Sequence, residues 1–121
     1  MKKKAVVVDD DEKNLMLEKD LLGFAGFEVF TAENAADGIA LYRKEKPDVI
    51  IFDVRLPDMS GTEAAGILRK GKESSNTPIV FVTASLMPGD KEKLKTITNS
   101  ILIGKPINTR TFAQEIIKFI K

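Results

Sequence analysis

Cysteine and histidine are both absent from this chain of 121 residues. The first absence excludes disulfides and thiol chemistry. The second removes imidazole ligands, a histidine general base and a Ser-His-Asp triad. A metal bound here has to be held by oxygen, which points to Mg²⁺, Mn²⁺ or Ca²⁺ rather than to a typical zinc site. Long hydrophobic runs are missing too, since none approaches the roughly 20 residues that span a bilayer. The basic start Lys2-Lys3-Lys4 leads into Val6-Val7-Val8, too short an apolar stretch for a secretory signal. A cytoplasmic location is therefore expected. Nor is there an excess of one charge sign. The 19 basic and 18 acidic residues leave a net charge of +1, so no large field favours DNA, RNA or anionic lipid. What is present, 43% hydrophobic and 31% charged residues, suits a soluble globular protein. The length suits one domain, residues 1–121, with its own core.

The pattern alternates strand and helix five times. Residues 5–8 form a short continuous apolar run with β-branched side chains and predict a strand buried on both faces. A helix follows over residues 14–24, with Leu17, Leu21 and Phe24 at helical spacing and Gly26 closing it. Residues 27–31 predict a less apolar strand at a sheet edge. A second helix starts near Asn34, in which Ala35, Ile39 and Tyr42 recur, and ends before Pro47 with Arg43 and Lys44 in its last turn. Residues 48–52 predict a central strand, 56–61 a shaped loop and 62–70 a short helix. A polar loop is expected over 71–77, a strand over 78–82, a charged helix over 91–98 and a strand over 101–103. Thr109 is expected to cap a last helix with Phe112, Ile116 and Ile120 on its apolar face. Connections of this length permit parallel pairing through right-handed crossovers, which predicts a three-layer α/β sandwich.

Four polar signals stand at the ends of the strands: Asp9-Asp10-Asp11, Asp53, Thr83 and Lys105-Pro106. In an open parallel sheet these ends share one edge, where ligands bind. If the first and third strands are neighbours, their acids face each other, and a hard cation relieves the repulsion. Mg²⁺ is the best cellular candidate. Each signal also has a plainer reading. The acid triplet could cap the first helix, Asp53 could mark a strand-end turn, Thr83 could cap the next helix, and Lys105 could be a solvated lysine before a turn.

Together the signals resemble the receiver (response-regulator) domain of two-component signalling, across residues 4–121. Asp9-Asp10 resembles that family's acidic pair. Val49-Ile50-Ile51-Phe52-Asp53-Val54-Arg55-Leu56-Pro57-Asp58-Met59-Ser60-Gly61 resembles its phosphoacceptor segment, and Val80-Phe81-Val82-Thr83-Ala84 and Lys105-Pro106 complete the signature. The resemblance implies a doubly wound, flavodoxin-like parallel sheet of five strands in the order 2-1-3-4-5, with helices on both faces. It implies Asp53 as phosphoacceptor, Mg²⁺ (or Mn²⁺) held by Asp9, Asp10, Asp53 and the backbone carbonyl of Arg55, and Thr83 and Lys105 as the groups that meet the phosphoryl oxygens. Pro57, Gly61 and Pro106 would shape the loops, and Asp11 would be a helix cap. The implied partners are a histidine kinase or histidine phosphotransfer domain, and a downstream protein or linked output domain. No direct contact with nucleic acid or membrane is expected. Such a domain is a switch that assists its own modification, not a metabolic enzyme.

The chain departs from the family in places. Leu102 occupies the position of the usual switch aromatic on the fifth strand, where leucine can fill a core gap but has no ring to swing. Thr98-Asn99 replaces a common Gly-Ala pair. Met87-Pro88-Gly89 interrupts the start of the fourth helix, where Pro88 suits a first turn. Two other readings are weighed against the resemblance. A flavin carrier would need a phosphate loop rich in Ser, Thr and Gly after the first strand, where three acids stand instead. A docking-only pseudo-receiver would not need Asp53, Thr83 and Lys105.

Overall fold

A computed structural model describes residues 2–71, 76–84 and 86–120. Five parallel strands, β1 (Lys4–Val8), β2 (Glu28–Ala32), β3 (Val49–Asp53), β4 (Ile79–Thr83) and β5 (Ser100–Gly104), form one sheet in the order β2-β1-β3-β4-β5. The helices are α1 (Glu12–Phe24), α2 (Ala35–Glu45), α3 (Gly61–Lys70), α4 (Asp90–Lys95) and α5 (Phe112–Ile120). The expected α/β architecture and strand order are both present.

Alternation along each strand divides the core into two layers. Val6, Val8, Ile50, Phe52, Ile79 and Phe81 pack under α2 and α3. Val7, Val49, Ile51, Val80 and Val82 pack under α1 and α5, against Leu15, Leu22, Phe112 and Ile116. The central strands β1, β3 and β4 are therefore apolar at nearly every position, whereas the edge strand β2 is not.

Caps set the helix limits. Asp11 accepts from the backbone N–H groups of Lys13 and Asn14 at the start of α1, and Gly26, at φ 103°, takes the left-handed turn behind its end. Asn34 caps α2 through the Asp37 N–H. Gly61 is fixed by close approach: a Cβ there would lie 2.4 Å from the Asp53 carbonyl oxygen.

Several local expectations change. The face of α1 that meets the sheet carries Leu15, Glu18 and Leu22; of the expected stripe, Leu21 packs partly buried against this layer, while Leu17 is 38% and Phe24 92% exposed. Both stripes have helical spacing, and packing on the sheet chose the one that an acid interrupts. The α4 helix is shorter than expected, with Pro88 in the turn ahead of it and Gly89 as a left-handed N-cap at φ 88°. At α5 it is Asn108, not Thr109, that caps. Its side chain accepts from Arg110 N–H, and its carbonyl accepts from Thr111 and Phe112. Leu102 does not fill the core; it is 43% exposed on the edge strand β5. The Thr98-Asn99 turn works because Asn99 tolerates φ 52°. The loop expected over 71–77 lies partly outside the described residues.

Candidate functional site

The register decides which side chains meet. Val8 pairs with Phe52, Asp53 with Val82, and Thr83 with Gly104. Asp9, Asp53, Thr83 and Lys105 therefore leave the sheet at one edge, beside the point where the strand order reverses between β1 and β3. Asp9, Asp10 and Asp53 each place a carboxylate oxygen within 4.8 Å of the others. Asp9 and Asp53 are buried and Asp10 is exposed. The Lys105 ammonium donates to Asp9 Oδ2 and to Asp53 Oδ2, both at 2.9 Å. Lys105 is thus no solvated lysine, and its backbone N–H also donates to the Thr83 carbonyl at 2.8 Å. The Lys105–Pro106 peptide is cis.

Backbone donors orient the acids. Asp9 Oδ1 accepts from Asp11 N–H, and Asp53 Oδ1 accepts from Arg55 N–H, each at 2.9 Å. Burial pushes the Asp53 carboxyl above the usual carboxylate range, against the hydrogen bonds from Lys105 and Arg55. Burial alone would depress Lys105, but its hydrogen bonds to Asp53 and Asp9 outweigh that and raise it. The carboxylates thus hold Lys105 in its charged form, while Lys105 offsets only part of the burial that disfavours the charged form of Asp53.

The two readings of the acid triplet fall on different residues: Asp11 caps α1, and Asp9 and Asp10 join the cluster. Thr83 is buried at the end of β4, and the next helix, α4, has no side-chain cap, so Thr83 does not serve there. An all-oxygen donor set over this span fits a hard cation with metal–oxygen bonds of about 2.1 Å.

Three more acids belong to the neighbourhood but were not singled out in the sequence. Asp58 accepts from the backbone N–H groups of Ala35 and Ala36, both at 2.9 Å, tying the loop after β3 to the start of α2. Asp90, buried at the start of α4, pairs with the Arg55 guanidinium. Glu18 lies buried in α1, and the charges of Asp9, Lys105 and Asp53 all act on it. An acid between Leu15 and Leu22 on one helical face was the available signal for Glu18.

The response regulator receiver domain model matches residues 5–117. The polar-differentiation response regulator DivK of Brucella anthropi is 32% identical over 120 residues, covering 99% of this chain and 98% of DivK. The chemotaxis response regulator CheY4 of Vibrio cholerae superposes with a TM-score of 0.90 at 29% identity, covering 98% of this chain and 99% of CheY4. A CheY-like receiver domain protein from Methanospirillum hungatei gives 0.89 at 30% identity, over 99% of this chain and 94% of its own. No helix among the described residues is long and apolar enough to cross a membrane. Matched almost end to end in sequence and in fold, the chain belongs to the response regulator receiver domains, which are signalling switches rather than metabolic enzymes.

Proposed function

We propose that Asp53 is the phosphoacceptor of this switch and that the chain works as one cytoplasmic receiver domain. The observation that carries the reading is the Lys105 ammonium, shared at 2.9 Å by Asp9 and Asp53 inside a cluster of three acids. Asp9, Asp10 and Asp53, with the backbone carbonyl of Arg55, would hold Mg²⁺, with Mn²⁺ as a second fit. Asp10 is the exposed acid and suits direct coordination, whereas Asp9 is already committed to Lys105. When bound, the ion supplies positive charge that offsets repulsion between a carboxylate and an anionic phosphoryl group.

The donor is a phosphohistidine on a histidine kinase or histidine phosphotransfer domain. An Asp53 carboxylate oxygen attacks phosphorus, the O–P bond forms, and the P–N bond breaks with its electron pair leaving on the imidazole. Lys105 then exchanges its Asp53 contact for a phosphoryl oxygen, and the Thr83 hydroxyl turns toward another. The new dianion biases the β4–α4 segment between two packings, and a downstream protein or linked output domain reads the change. Pro57, Gly61 and Pro106 shape the loops that carry these groups.

The test is incubation with acetyl phosphate and Mg²⁺, followed by intact mass measurement. Wild type gains one labile phosphoryl group; D53A gains none, and chelation of Mg²⁺ abolishes labelling. An unmodified wild-type protein, under conditions that label a control receiver, would overturn the reading.

A further inference from the structure

Arg55 touches two places at once. Its backbone N–H donates to Asp53 Oδ1 at 2.9 Å, and its guanidinium pairs with Asp90 at the start of α4. Asp90 is also tied within its own turn. Its Oδ2, the oxygen that meets Arg55, accepts from Met87 N–H, and its backbone N–H donates to the Met87 carbonyl at 3.0 Å. One carboxylate oxygen therefore closes the Met87-Pro88-Gly89 turn and holds Arg55. Gly89, the N-cap, has no side chain to replace it.

The two partners are unequally buried. The Asp90 side chain is 8% exposed and the Arg55 side chain 45%. Arg55 can leave the pair and be solvated where it stands. Asp90 cannot, and no other cation among the described residues lies within ion-pair distance of it. A carboxylate left buried without its counter-charge is unfavourable until water reaches it. A fully exposed pair of the same residues would contribute little. Burial of one partner gives this pair a direction: losing Arg55 disturbs α4, whereas losing Asp90 leaves Arg55 in water.

We propose that the Arg55–Asp90 pair is a latch on α4 that a phosphoryl group on Asp53 releases. The inference rests on the reading of Asp53 as phosphoacceptor. A phosphoryl group brings close to two negative charges and three acceptor oxygens to within two residues of Arg55. The fork of a guanidinium matches such oxygens, whereas Asp90 engages it through one nitrogen only. Arg55 turns to the new anion. Asp90 then loses its cation, and the start of α4 opens to admit water.

The experiment follows hydrogen exchange at the Met87, Asp90 and Lys93 amides, which donate within the turn and across the first turn of α4. Wild type, R55M and D90N are compared, with beryllofluoride and Mg²⁺ as the phosphoryl mimic. In wild type the mimic should quicken exchange about tenfold, less than breaking a fully buried pair would give, and should move the Arg55 Nε resonance. R55M removes the guanidinium, so its α4 start should exchange at the faster rate with no mimic added. D90N keeps an acceptor for Met87 N–H and removes the buried charge, so its amides should stay protected with and without the mimic. Unchanged exchange in a wild type that binds the mimic, as shifts at Asp53 and Thr83 report, would overturn the proposal. Protection in ligand-free R55M equal to wild type would do the same. So would D90N loosening as much as wild type, because the opening would then need no latch. If wild type neither binds the mimic nor takes a phosphoryl group from acetyl phosphate, yet R55M exchanges fast, the phosphoacceptor reading fails. The hold of Arg55 on α4 then stands, and its release by a phosphoryl group falls.

Discussion

At Lys105, one ammonium lies between two carboxylates that would otherwise repel each other at the edge of an apolar sheet. The pairing holds because all three groups are largely withdrawn from water, where each needs a counter-charge more than it would at the surface. Replacing Lys105 by methionine keeps the stem and removes the charge. In chelator the K105M protein should lose on the order of 3 kcal/mol, the usual cost of breaking a buried pair on one side. Urea unfolding of wild type and K105M measures this; equal midpoints and slopes would show that the two acids do not depend on the ammonium. The residues named from the sequence for this pocket, Asp9, Asp10, Asp53 and Lys105, do meet there. They were legible because each ends an apolar strand, and parallel strands place their ends together.

The elements are joined by contacts that no local pattern announces. Asp58, an exposed loop residue, caps α2 from 22 and 23 positions away by accepting from Ala36 and Ala35. Those two hydrogen bonds hold its carboxyl below the ordinary carboxylate range. The folded value lies beneath the unfolded one, so the contribution is present above the unfolded value near 3.8 and is lost as pH falls through the depressed folded value. Hydrogen exchange at the Ala35 and Ala36 amides should therefore lose protection in acid. D58A should lose it at neutral pH as well. Amide protection in D58A equal to wild type would show that the cap contributes nothing. At the other end of the site, Arg55 reaches Asp90 and so connects the loop after β3 to α4, a helix of six residues with no side-chain cap of its own. Spacing alone ran that helix on to residue 98, whereas it starts at the buried Asp90 behind Gly89 and ends at Lys95.

Across the whole molecule, the order β2-β1-β3-β4-β5 puts the acids of β1 beside Asp53, and puts Thr83 and Lys105 on the strands that follow. The β4–α4–β5 side carries Arg55's partner Asp90, the short α4 and the exposed Leu102. It is the side with the shortest helix and a partly exposed edge strand. Beryllofluoride with Mg²⁺ should therefore move amide resonances over residues 83–103, beyond those that touch the ligand. Shifts confined to the ligand's immediate surroundings would contradict a relayed switch. An aromatic swing is not available to Leu102, which already faces solvent, so a relay of the proposed kind would run through the backbone of β4 and the Arg55–Asp90 tie.

The sequence by itself determined the strands, their parallel pairing and the four polar ends, because a doubly buried strand must be apolar throughout and a parallel sheet exposes its chemistry at one edge. Only the tertiary structure decided the phase of α1, which turned Glu18 inward and Leu17 outward. It also decided the capping of α2 by Asp58, the pairing of Arg55 with Asp90 and the use of Asn108 ahead of α5. Periodicity specifies which residues share a helical face but not which face meets the sheet, and a hydrogen bond between distant segments leaves no mark in the spacing of either.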